Sequence, residues 1–375
     1  MDLTLDADQR MIRSAAADFL RTECPPSVAR ALEADPRGYS PELWAKMAEL
    51  GLMGVPFPEE YGGIGRAFLD LCLVIEELGR GRVCGPFFST VVLCGLAIAR
   101  FGTRAQRREY LRPIVAGERV MSYGELEPGA TWAVPPVDLT ATADGEDYVL
   151  EGTKLFVPYA QVADDVLVVA RTGGGGEQGV TLLLVDAKAP GVSCERLETI
   201  GPEHEHKVTF RGVRVARARS LGEPDAGWPI VKAINAWGAA AKCAEMVGGA
   251  RTVLEMTIEY AQERRQFGRP IGSFQAIQHH CANMAVDVES ARFIAYEAIW
   301  RLSEGLDAAK EVSAAKAWVS DAYQRVCALG HQIHGAIGFT KEHDMQLFFR
   351  HAKEAELAFG DGDYHREIVA RELGL

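Results

Sequence analysis

The feature that most constrains this chain is a change of hydrophobic period, made twice. From "DADQRMIRSAAADFLRTE" (6–23) to about residue 117, apolar residues recur at helical spacing. From 118 to about 225 the period shortens to two. "DLTATADGEDYVLEGTKLFV" (138–157) alternates around an Asp-Gly turn, and "DDVLVVAR", "VTLLLVDA" and "HKVTFRGVRV" continue as strands. From 226 the helical period returns in long Ala-rich segments that suit close helix packing, and no internal repeat is found. The chain therefore reads as α+β, mostly α. We expect an N-terminal helical domain (1–117), a middle β domain (118–225) and a C-terminal helical bundle (226–375). Junctions between such units leave clefts where ligand sites form.

Local signals set the element ends. An Asp opens the first helix and "CPP" closes it; Ser40-Pro41 is a cap followed by a first turn, and Gly51 stops that helix. "TGGGGEQG" (172–179) joins two strands without the Lys-Ser/Thr pair and following helix of a phosphate loop.

Composition narrows the partners. With 375 residues, nearly half hydrophobic, the chain can bury a large core. Its net charge of -12 argues against nucleic acid and anionic membranes, and the basic clusters at 104–109 and 211–220 read as solvated faces. The first residues lack a signal-peptide pattern, the run "VVLCGLAIA" is too short to span a bilayer, and the eight cysteines form no CxxC pair. A cytoplasmic protein with buried thiols is expected. "HEH" (204–206) and "HH" (279–280) lack a second ligand cluster of suitable spacing, so no metal site is expected.

Two motifs carry chemistry. "ERRQFGRPIGSFQAIQ" (263–278) reads as helix, turn and helix, with Ser273 placed to cap the second. Arg264 and Arg265 suit the C-terminal dipole of the first helix, and the same guanidinium groups suit a pyrophosphate. "GHQIHGAIGF" (330–339) has glycines at 335 and 338 that permit close backbone approach, or simply a turn.

These segments, with "WAKMAELGLMGVPFPEEYGGIG", "EELGR", "ELEPGA" and "REIVARE", fall in the order and spacing of one family across nearly all the chain. The chain resembles the acyl-CoA dehydrogenases. The resemblance implies helical, barrel-like β and four-helix-bundle domains, a dimer-of-dimers assembly, FAD, an acyl-CoA substrate and an electron-transfer flavoprotein or similar acceptor. It also implies α,β-dehydrogenation: a carboxylate takes the α proton while the β hydride leaves to the flavin, so a base must stand within hydrogen-bond reach.

Carried over residue by residue, the resemblance splits. The adenosine diphosphate end of the family's FAD is held by a neighbouring subunit's C-terminal domain. Those positions match here at Arg264, Phe267, Gln275, Gln332, Gly335 and Ala336, with Gln266 where the family often has Thr or Ser. The flavin end does not match. "TWA" (131–133) replaces Gly-Ser-Asp, Phe156 replaces a Trp, and Pro158 replaces a Thr and offers no N–H. Trp132 is expected to crowd the site. The family's base position falls on Phe359, and its alternative position on Gly238, followed by Ala239 instead of Arg. No catalytic residue is therefore assigned.

Three readings stay open. The chain resembles the non-catalytic subunit of heterotetrameric bacterial members of the family, some acting on bulky steroid-derived thioesters, in which a catalytic paralogue supplies the base. Alternatively, it is a self-sufficient flavoprotein whose base has moved to Asp361 or Asp363. In that stretch Asp363 also reads as a helix cap, and His365 and Glu367 follow. The third reading is a flavin-free scaffold of the same fold.

Overall fold

The computed structural model describes residues 4–130 and 137–375. Asp6 accepts a hydrogen bond from the Gln9 N–H and starts α1 (Ala7–Glu23), which ends at Cys24 before two prolines. Then follow α2 (Pro26–Ala34), α3 (Pro41–Glu49), capped by Ser40 as expected, and α4 (Phe68–Gly81). A π-helical stretch, Phe88–Gly95, runs into α5 (Leu96–Phe101), and α6 (Arg104–Val115) completes the helical part.

The strands are β1 (Met121–Gly124), β2 (Thr140–Asp144), β3 (Asp147–Pro158), β4 (Asp165–Arg171), β5 (Val180–Asp186), β6 (Val192–Leu197), β7 (Glu205–Ala216) and β8 (Ser220–Leu221). Their order is β6-β7-β3-β2-β4-β5-β8, with β1 parallel to β4. The Asp-Gly turn forms the β2–β3 hairpin, pairing Asp144 with Asp147. β2 and β4 meet at a single register pair, Thr140 with Arg171. The β6-β7-β3 and β4-β5 blocks share an apolar core that includes Leu150, Val166, Leu183, Phe210 and Val213.

The helices then return as α7 (Trp228–Glu263), α8 (Gln275–Ser303), α9 (Ala309–His334), α10 (Met345–Leu357) and α11 (Gly362–Glu372). Every residue from Gly238 to Ala250 on α7 is buried, so this helix is enclosed on all sides by its neighbours. Its small residues make that possible: a Cβ on Gly248 would lie 1.9 Å from the Glu76 carbonyl oxygen of α4. Two local expectations are corrected. Ser273 donates to the Pro270 carbonyl and α8 starts at Gln275 without a side-chain cap. Asp361, not Asp363, caps α11, accepting from the Tyr364 N–H at 2.9 Å.

Candidate functional site

The two positions proposed for the family's base lie together. After α10 the chain turns through Phe359 (φ 58°) and Gly360 (φ 100°). A bulky side chain at positive φ is strained and needs support from its surroundings. His365 Nε2 donates to the Phe359 carbonyl at 2.9 Å, and Lys316 Nζ donates to the carbonyls of Glu356 (2.8 Å) and Gly360 (2.9 Å). Burial depresses both groups, the Lys316 ammonium to about 8 and the His365 imidazole to about 4.

Held this way, the Phe359 ring covers Gly238: a Cβ there would lie 2.5 Å from Phe359 Cε1. Phe88 closes over the ring, with centroids 5.8 Å apart. Residues 121 positions apart in sequence thus share one spot, and an aromatic ring fills it. Ala239, beside Gly238, is buried. The nearby acids are engaged elsewhere. Asp361 is the α11 cap, Asp363 faces solvent and pairs with Arg366 at 3.1 Å, and Glu367 pairs with Arg371 at 3.3 Å.

Behind Phe88 lies a cluster of charges that sequence reasoning missed. Lys242 Nζ stands 4.2 Å from the Phe88 ring centroid, 2.5 Å from Glu245 Oε2 and 3.9 Å from Glu203. Arg82 bonds Glu245 at 3.1 Å, and His351 Nε2 lies 3.2 Å from the same carboxylate. Glu205 and Glu354 complete the group. Burial opposes charge on Lys242, yet Glu245 and Glu203 raise its pKa. Burial also opposes charge on Glu245, yet Lys242 and then His351 hold it well below the usual range. Burial raises Glu205 and takes Glu354 to about 8, with Glu203 adding to both. Burial depresses His351 to about 3. The available signal was a Lys and a Glu inside the Ala-rich run "AAAKCAEM".

At the flavin end, Lys154 is fully buried and donates to Glu127 Oε1 (2.5 Å) and to the Glu125 carbonyl (2.9 Å), which pins "ELEPGA" against β3. The β3–β7 register shifts between Lys154 and Val157, and the irregularity puts Phe156 at φ 52° with half its surface exposed. Pro158 follows, its carbonyl accepting from Ser122 Oγ. Thr131, Trp132 and Ala133 lie outside the described residues. Here the chain presents the Phe156 side chain and the Pro158 nitrogen, which carries no hydrogen.

The opposite end of α7 is open. Tyr260, one turn before Arg264, stacks on His334 with centroids 4.5 Å apart, which sets the 264–275 segment beside the 332–336 segment. Arg264, Gln266, Phe267, Gln275, Gln332 and Ala336 are exposed, and Gly335 is half-buried. Among the described residues Arg264 has no ion-pair partner. Phe267 is 92% exposed at φ 50°, a strained backbone presenting an apolar ring to solvent. Gly335 (φ 65°) has open space where a Cβ would point. A free guanidinium, an exposed ring and an accessible backbone suit the diphosphate and adenine portions of a dinucleotide. The residues described at this end thus suit the adenosine diphosphate portion of FAD. Among the described residues, no grouping of metal-ligand side chains includes His204, His206, His279 or His280.

Three family models match in order: the N-terminal domain of acyl-CoA dehydrogenase at residues 6–118, the middle domain at 123–213 and the C-terminal domain at 225–374. The probable acyl-CoA dehydrogenase YngJ of Bacillus subtilis (strain 168) is 33% identical over 384 residues, covering 100% of both chains. The butyryl-CoA dehydrogenase structure from Megasphaera elsdenii superposes with a TM-score of 0.93 at 29% identity, covering 100% of each chain. The FAD complex of PigA gives 0.92 at 26% identity, again covering 100% of each. Members of the family and these structural neighbours are FAD-binding flavoproteins. The chain belongs to the acyl-CoA dehydrogenase family.

Proposed function

We propose that this chain is the non-catalytic subunit of an FAD-dependent acyl-CoA dehydrogenase heterotetramer. A catalytic paralogue supplies the base, the flavin cradle and most of the acyl-CoA site. This chain holds the distal end of the FAD through Arg264, Gln266, Phe267, Gln275, Gln332, Gly335 and Ala336. When bound, FAD supplies the hydride acceptor for α,β-dehydrogenation of a CoA thioester. An electron-transfer flavoprotein or similar acceptor takes the electrons onward. We assign the assembly to the cytoplasm; among the described residues no helix is long and apolar enough to cross a membrane. A bulky, steroid-derived acyl group remains the substrate class we infer.

The observation that carries this reading is the contact between Phe359 and Gly238. Both candidate base positions meet at one point, neither bears a carboxylate, and the ring leaves no room for a side chain at 238. The contrast with the open Arg264 end supports it, because a homo-oligomer needs both halves in every chain. A base moved to Asp361 fits poorly, since that carboxylate is taken by the helix cap.

The test is flavin absorbance per chain, with and without the protein encoded by its genomic neighbour. The expected result is little flavin on the chain alone and one FAD per unlike pair in the complex. Full flavin occupancy of the lone chain, with activity lost in Asp361→Ala, would establish the self-sufficient reading. No flavin in either preparation would establish the scaffold. Phe359→Glu by itself is expected to create no dehydrogenase; if it does, the flavin end of this chain is competent after all.

A further inference from the structure

We propose that Glu203, Glu205 and Glu354 bind one hard divalent cation, of the calcium, magnesium or manganese class, where the β6–β7 connection meets α10. Each of the three offers a carboxylate oxygen within 4.8 Å of the other two. That spacing lets three oxygens share one ion at bond lengths of about 2.1–2.5 Å. An all-oxygen set selects hard cations over zinc or copper.

Independent of proximity, the acceptors lack donors. Among the described residues, both Glu354 oxygens and Glu205 Oε2 are closed to solvent and have no hydrogen-bond partner. Such atoms are rare in folded proteins and call for an ion or water. The Glu354 carboxyl is pressed against the opposing backbone: a Cβ on Gly201 would lie 2.1 Å from its Cδ. The nearest ammonium cannot serve it, because Lys242 is committed to Glu245 at 2.5 Å and reaches only Glu203, at 3.9 Å.

Arg82 and Lys242 both pair with Glu245, and Lys242 lies 3.9 Å from Glu203; among the described residues neither cation pairs with Glu205 or Glu354. The histidines of "HEH" take no part. His204 Nε2 lies 3.2 Å from the Glu33 carbonyl and His206 Nδ1 lies 3.3 Å from the Val157 carbonyl. Of the "HEH" motif only Glu205 takes part, on the opposite side of the chain from the two histidines.

Bound there, the ion would clamp the middle strands to α10, just before the Phe359 turn. The experiment uses the full chain, dialysed against EDTA and titrated with Mn²⁺, followed by electron paramagnetic resonance and thermal melting. We expect one tightly held Mn²⁺ per chain and a higher melting temperature on loading. Glu354→Gln and Glu205→Gln should each weaken Mn²⁺ binding about tenfold or more, whereas exposed Glu342→Gln should not. If the variants do not fold, the wild type decides: EDTA should lower its melting temperature, and Mn²⁺ or Ca²⁺ should restore it. Equal melting in Mn²⁺ and EDTA, or no bound Mn²⁺, overturns the proposal. So does a Glu354→Gln chain that melts higher than wild type without metal, which would make the cluster a protonated one.

Discussion

The two ends of α7 are built on opposite terms. At one end Gly238 lies under the Phe359 ring, with Phe88 stacked beyond it and backbone carbonyls fastened by Lys316 and His365. At the other end, Arg264 and Phe267 project into solvent on a strained turn, with few partners of their own. The buried end packs against its own chain; the exposed end does not. A strained turn that holds an aromatic ring 92% exposed, with nothing in its own fold over it, suits a surface that something else covers.

Acid gives the largest expected effect and bears most on the closed end. His351, His365 and His206 are buried, with imidazoles depressed to about 3, 4 and 4. Each stays neutral in the folded chain, while the unfolded chain takes up a proton as pH falls through 6.5. The stability these histidines contribute is therefore present above pH 6.5 and is lost progressively between 6.5 and about 4, or about 3 for His351, at ~1.4 kcal/mol per pKa unit and group; Glu354, raised to about 8, works in the opposite direction below pH 8 and offsets part of the loss. Urea midpoints measured across that range should fall steeply; a flat profile would mean that the closed end is looser than it looks.

Gly238→Ala comes next. Its Cβ would strike the Phe359 ring, so we expect a loss of ~1–3 kcal/mol from overpacking. In a Phe359→Ala background the same change should cost much less. Denaturant unfolding of the four chains of that cycle reads the coupling, and additivity would separate the two positions.

Arg264→Ala should leave the melting of the isolated chain unchanged and weaken FAD binding by the complex about tenfold, as for one charge-assisted hydrogen bond. Fluorescence titration of the heteromer checks it, and a drop in the stability of the lone chain would show Arg264 to be a folding residue. Phe267→Ser gives the smallest effect, within about 0.5 kcal/mol on folding. Its consequence should appear in the complex with FAD, measured by the same titration.

Much of this comparison was legible in the sequence. The change of period located the strands. Local rules failed where two residues could do one job. Asp361 and Asp363 both suit a cap, and only the turn after Gly360 decides between them. The charge cluster was illegible for another reason. Arg82, Glu203, Glu245 and Glu354 come from the end of α4, the β6–β7 connection, α7 and α10, so no window of sequence contains them together. Lys242 was visible as an oddity among alanines, but its partners were not.

The length of α7 has a further consequence. Gly238 and Arg264 are 26 positions apart on one continuous helix, a separation of about 39 Å at 1.5 Å per residue. A dinucleotide cannot stretch that far, so one chain's two ends can never grip the same cofactor molecule. Lesions at the two ends are therefore lesions in different sites of the assembly. In the proposed heteromer, damage at the Arg264 end of this chain should therefore weaken FAD binding without disturbing the packing around Gly238.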